Sequence, residues 1–199
     1  MLQFPLIDPE RIACSQHEKK PYLNIRQPHT NTALRQQTTA NVNLPPLLAK
    51  HLKETFFGGN WTDVHLDQAI AGVTWQEATT SVYGLNTIAA LVYHINYYVE
   101  AILKVLRGNP LDSNDKHSFD LPPVDSDESW MELIERTRQA VQKLCGLMEQ
   151  LPEPQLWETF TDQKYGTYYR NLQGLIEHSH YHLGQIVVLK KILQHPEMK

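Results

Sequence analysis

Four long stretches of this chain repeat apolar residues at intervals of three and four, the spacing that lines one face of an α-helix. Such a face is stable only when buried against another like it, so the repeat commits the chain to packing helix on helix. In the first stretch Pro45 and Pro46 stand at the opening turn, where a missing N–H costs nothing, and Leu48, Leu52 and Phe56 form the stripe up to Gly58 and Gly59. The second covers residues 86–106, with Ile88, Leu91, Ile95, Ile102 and Leu106 before Gly108 and Pro110. A third starts at Asp127 or Ser129 and carries Met131, Leu133, Ile134, Val141, Leu144 and Met148, stopping before Pro152. The last covers residues 171–193, with Leu172, Leu175, Ile176, Val187 and Leu189, and Pro196 ends it. The expectation is an all-α fold, a four-helix bundle.

The connections are unequal. Residues 60–83 read as short helical pieces, with Asp63 capping a turn that holds Leu66 and Ile70, Thr74 capping one that holds Glu77, and Trp61 and Trp75 as packing anchors. Residues 108–126 are too rich in proline, serine and aspartate for regular structure and form a long crossover loop, its charges solvated. Residues 156–169, broken at Gly166, read as a short hairpin or an irregular linker. Before the first helix the chain is polar and unpatterned, which divides it into an N-terminal extension over residues 1–43 and a bundle domain over residues 44–195.

Composition closes off several functions. A formal net charge of −4 and a pI near 6.2 leave no basic stripe for a nucleic-acid backbone or an anionic membrane surface. No run is apolar for long enough to span a bilayer, and the N-terminus lacks a charged segment leading into an apolar one, so the expected location is cytoplasmic. Of the two cysteines, Cys145 falls in an apolar helical pattern and reads as a small buried hydrophobe, while Cys14 reads as an exposed thiol.

Chemistry concentrates in residues 177–185, EHSHYHLGQ. His178 and His182 stand one helical turn apart on one face, Gln185 returns to nearly the same meridian, and His180 points the opposite way. Imidazoles so placed can direct nitrogens at one cation, or can equally form a solvated or hydrogen-bonded pair. A further histidine, His94, flanks the buried stripe of the second helix. A buried imidazole needs partners for its nitrogens, and either a tyrosine hydroxyl or a metal ion would serve. Gln185 could orient a ligand or bridge two helices, and Tyr97 and Tyr98 could line a pocket or pack. His51 is a substitute ligand in reserve, His65, His117 and His180 read as surface residues, and no carboxylate on the His178 stripe offers a general base.

The run LVYHINYYVEAIL around His94, the spacer DKHSFDLPP and the late HSHYHLGQI resemble the DinB-like superfamily, also called the YfiT-like metalloenzymes. The resemblance spans residues 47–193 and is most specific at His178, His182, Gly184 and Gln185, taken with the upstream His94; the stretch before Pro45 lies outside it. It implies a homodimeric four-helix bundle in which His94, His178 and His182 hold a divalent metal at one end; Gln185 and Tyr98 are the candidates to stand behind them. Three imidazoles would leave a coordination position open, and nickel, zinc, iron and manganese all accept such ligands. The family includes S-transferases and an isomerase that depend on a low-molecular-weight thiol, and hydrolases. The resemblance therefore implies a small-molecule substrate and a thiol or water made nucleophilic by the metal. The competing reading is a metal- or ligand-binding bundle without chemistry.

Overall fold

The computed structural model describes residues 42–195. Nearly all of the expected N-terminal extension, Cys14 and the stop at Pro196 lie outside them. The described chain is helical: α1 (Leu44–Phe57), α2 (Leu66–Ile70), α3 (Trp75–Thr79), α4 (Ile88–Leu106), α5 (Asp127–Glu149) and α6 (Tyr168–Gln194), with single 3-10 turns at Asp115–His117, Glu153–Trp157 and Gln163–Tyr165. The four long helices are the four periodic stretches. Around the bundle α5 packs on α1 and α4, and α6 packs on the same two from the other side, so α4 and α6 are neighbours. Leu52, Phe56, Ile88, Leu91, Ile95, Leu144, Met148, Leu172, Ile176 and Ile186 are the large side chains sealed inside.

Helix ends follow local chemistry. The Thr87 hydroxyl accepts from Ala90 N–H at 3.1 Å, so α4 begins at Ile88. Ser126 and Ser129 cap each other's backbone N–H groups and start α5 at Asp127. Thr167 accepts from Arg170 N–H at 3.2 Å and starts α6 at Tyr168, three residues ahead of the apolar pattern, because the cap and not the first buried residue sets the boundary.

Three expectations are corrected. The cap of α2 is His65, whose Nδ1 accepts from Gln68 N–H at 3.4 Å; Asp63, three residues ahead of Leu66, falls instead in the preceding turn with φ of +55°. Trp61 anchors nothing, being 101 % exposed, since the turn is held by Asn60, whose side-chain amide donates to the carbonyls of Glu54 and Val64 at 2.9 and 2.8 Å. Met131 is exposed because the buried stripe of α5 runs through Trp130, whose indole N–H donates to the Val73 carbonyl at 3.0 Å and ties α5 to the segment between α2 and α3. The charges of the loop over residues 108–126 are solvated as expected, Asp112, Asp115, Lys116, Asp120 and Asp125 all being exposed, although Ser118 among them is buried.

Trp75 and Cys145 are placed as expected. Trp75 packs against the core, and Cys145 is buried with its thiol pushed up to about 12 by that burial. Residues 156–169 take the irregular form, with the end of one 3-10 turn, a second turn at Gln163–Tyr165, and one isolated antiparallel bridge between Thr159 and Thr167 on either side of it. Gly166, at φ of +73°, closes that turn and lets its carbonyl accept from Phe160 N–H at 2.9 Å. Among the described residues no helix is long and apolar enough to cross a membrane.

Leu144→Ala should cost about 2–5 kcal/mol of unfolding free energy, whereas Met131→Ala should fall within about 0.5 kcal/mol of the parent in urea denaturation. Equal losses would contradict the placement of the α5 stripe.

Candidate metal centre

The contact between α4 and α6 brings His94, His178 and His182 together. His178 Nε2 lies 3.1 Å from His94 Nε2 and 3.1 Å from His182 Nε2. One ligand nitrogen from each residue falls within 4.8 Å of the other two. Nitrogens held about 2.1 Å from one ion at angles of roughly 90–109° would lie about 3.0–3.4 Å apart, so the two short separations have the spacing of ligands.

Hydrogen bonds on the far side of two rings fix which nitrogens carry lone pairs. His94 Nδ1 donates to the Ser118 carbonyl at 3.2 Å, which can only accept, so neutral His94 has its lone pair on Nε2. His182 Nδ1 donates to Gln185 Oε1 at 2.7 Å, with the same result. Both lone pairs meet at His178 Nε2. If that atom carries a proton it can satisfy only one of them; if it does not, three lone pairs converge and require a cation. His178 Nδ1 is buried without a hydrogen-bond partner, so the protein leaves this third ring unpinned. The donor set therefore fits a metal, and the group could hold one.

Electrostatics favour the neutral form that a metal needs. Burial pushes the His178 pKa down to about 4, with His182 and His94 adding repulsion. Burial lowers His94, as does His182, and burial lowers His182 against the opposing pull of Gln185. His94 and His182 are buried, and Phe119 stacks flat on His94 with ring centres 3.9 Å apart.

The exposed side is different. A cleft of about 870 Å³ runs between α4, residues 111–116 and the first half of α6, and His178 lies in its wall beside Tyr98. The Tyr98 ring meets His178 edge-on at 4.8 Å, and its hydroxyl donates to Asp115 Oδ1 at 2.9 Å. Burial, reinforced by that carboxylate, holds the Tyr98 phenol up at about 12.

A profile described as the DinB superfamily matches residues 24–186, well over half of the chain. The chain belongs to the DinB superfamily. The match takes in all three histidines and Gln185, and it begins within the stretch read from the sequence as an extension. No curated protein and no solved structure matches the chain.

In this DinB-superfamily chain, His94, His178 and His182 are thus brought together, with Gln185 bound to His182 and Tyr98 against His178. Tyr97 sits at the edge, its hydroxyl donating to the Asn114 carbonyl at 3.0 Å. His51 is no substitute ligand: it faces His180 across α1 and α6, ring centres 5.9 Å apart. His180 is half-buried, its Nε2 3.1 Å from the Thr55 hydroxyl, and His65 is half-buried at its cap; His117 is exposed as expected and pairs with Asp120. Sequence reasoning missed Asp115, Ser118 and Phe119. Their signal was faint, since Ser118 acts through its backbone carbonyl, which every residue type possesses. The apolar Phe119 inside a charged loop was the one usable hint.

The lowered histidine pKa values give a sign for pH dependence. The unfolded chain binds protons near the ordinary histidine value of 6.5 and the folded one only lower, so metal-free protein is fully stabilised above 6.5 and loses that part as pH falls toward about 4. Urea unfolding of chelator-treated protein should give a lower midpoint at pH 5 than at pH 7, and His178→Gln should shrink the difference. Equal midpoints in the parent would contradict the burial of these rings.

Proposed function

We propose that this protein is a metal-dependent enzyme in which His94, His178 and His182 hold a divalent ion and the chemistry is a thiol S-transfer or a hydrolysis on a small molecule. The observation that carries the reading is the convergence of the Nε2 lone pairs of His94 and His182 on His178, at 3.1 Å each. A divalent ion supplies Lewis acidity, which makes a thiol or a water molecule a better nucleophile near neutral pH.

The chain's own residues do the rest. Ser118 and Gln185 hold two rings in the tautomer and orientation that present their lone pairs. Phe119 covers His94 and keeps water from that side. Among the described residues the group contains three side chains, and His178 borders the cleft, which leaves a substrate a way in. That access favours an enzyme over a bundle that only stores metal or ligand. The same reading makes the protein a cytoplasmic homodimer using nickel, zinc, iron or manganese and a low-molecular-weight thiol. A monomer mass by light scattering would remove the dimer from it.

Elemental mass spectrometry of purified protein should find near-stoichiometric metal, and none in His178→Ala/His182→Ala. Absence of metal from the parent after reconstitution with each of the four ions would sink the proposal. Gln185→Leu, which frees the His182 ring, should weaken metal affinity about 10–100-fold while leaving helicity unchanged. Unchanged affinity would deny Gln185 its orienting role.

A further inference from the structure

The cleft beside His178 is charged in a way the whole chain is not. The protein carries a formal net charge of −4, yet the cleft is lined by Lys116, Lys164 and Arg170 against a single carboxylate, Asp115, which already accepts the Tyr98 hydroxyl. We propose that this cleft binds a small organic anion by a carboxylate or phosphate group, held by Arg170, Lys164 and Lys116, with the other end of the molecule reaching His178. The proposal names the substrate class for the enzyme reading above and rests on it.

Arg170 carries the argument furthest. Arg170, Gly174 and His178 follow one another at intervals of four along α6 and so share a face, with Arg170 and His178 about 12 Å apart along the axis. The Arg170 side chain does not extend away from the helix. Its Nη1 lies 3.0 Å from the position a Cβ on Gly174 would take and 3.5 Å from Glu177 Oε2, so the guanidinium folds back toward His178. A glycine in a helix interior is unfavourable relative to alanine, and here the space it leaves is occupied by that guanidinium. The Glu177 contact is long and exposed, the kind of ion pair that contributes little and yields to a better anion. Lys164, also in the lining, has its Nζ 4.8 Å over the Tyr165 ring, and Lys116 follows Asp115 in the same lining. A guanidinium with two ammonium groups around a space of about 870 Å³ suits a small molecule bearing an oxyanion.

The test is calorimetric titration of the full-length protein, chelator-treated and metal-reconstituted, with succinate, inorganic phosphate and the neutral isostere succinamide. Succinate or phosphate should bind and succinamide should not, and whichever of the two binds more tightly identifies the head group. Arg170→Gln should weaken that binding at least about ten-fold, and Arg107→Gln, on a different face, should not. Gly174→Ala separates binding from folding: it should weaken anion binding by displacing the guanidinium while leaving thermal stability equal or higher. Equal affinity for succinate, phosphate and succinamide, or an Arg170→Gln variant that binds like the parent, would overturn the proposal. Failure here with metal still bound would leave the three-histidine site standing. An anion preference in protein that takes up no metal would support the cleft and overturn the metal reading.

Discussion

A neutral imidazole has one proton and one lone pair, and a protein that spends the proton on one side of the ring decides where the lone pair goes. His94 spends its proton on the Ser118 carbonyl and His182 on Gln185, which turns both lone pairs inward upon His178. Much of the surrounding structure serves that arrangement. It requires α4 and α6 to be neighbours, which the packing of α5 and α6 on opposite sides of α1 and α4 provides. It also requires the rings to stay uncharged, which burial provides by holding all three below the usual histidine range.

The division between a closed and an open side follows from which residues flank each ring. On the His94 side, Phe119 covers the ring and Ser118 is buried, so the histidine is shielded from solvent. His178 has no partner on Nδ1 and stands at the edge of the cleft. The most accessible of the three rings is therefore also the one with fewest constraints. Two rings are thus fixed and the third is left adaptable at the edge of the cleft.

Much of this was legible in the sequence because helical periodicity and the turn-spaced pair His178 and His182 report directly on which residues share a face. The same logic located His94 at a buried border and put Gln185 on the stripe of the pair. Periodicity failed where an element is defined by hydrogen bonds and not by burial. Asp63 reads as the cap of α2 and His65 as a surface residue, and only the backbone path, with Asp63 at φ of +55° in the preceding turn, moves the cap to His65. Trp61 shows that a large aromatic side chain is no guide to burial when an amide, here that of Asn60, already secures the turn. The role of Ser118 was invisible because it is played by a main-chain oxygen.

The clamp between Tyr97 and the crossover loop has a consequence for how this chain can change. The Tyr97 hydroxyl accepts from Asn114 N–H at 2.8 Å and donates to the Asn114 carbonyl at 3.0 Å, gripping both backbone groups of a single residue. Everything that touches His94 from the loop lies after that grip, at Ser118 and Phe119. In the stretch before it Pro110 and Asp112 are exposed, while Leu111 packs against the core and, with Ser113, lines the cleft that His178 borders. Because closing a longer loop adds little entropy cost, insertions should accumulate ahead of Leu111, beside the exposed Pro110, while residues 111–119 keep their spacing, and a designer seeking a place to graft a peptide would choose the same point.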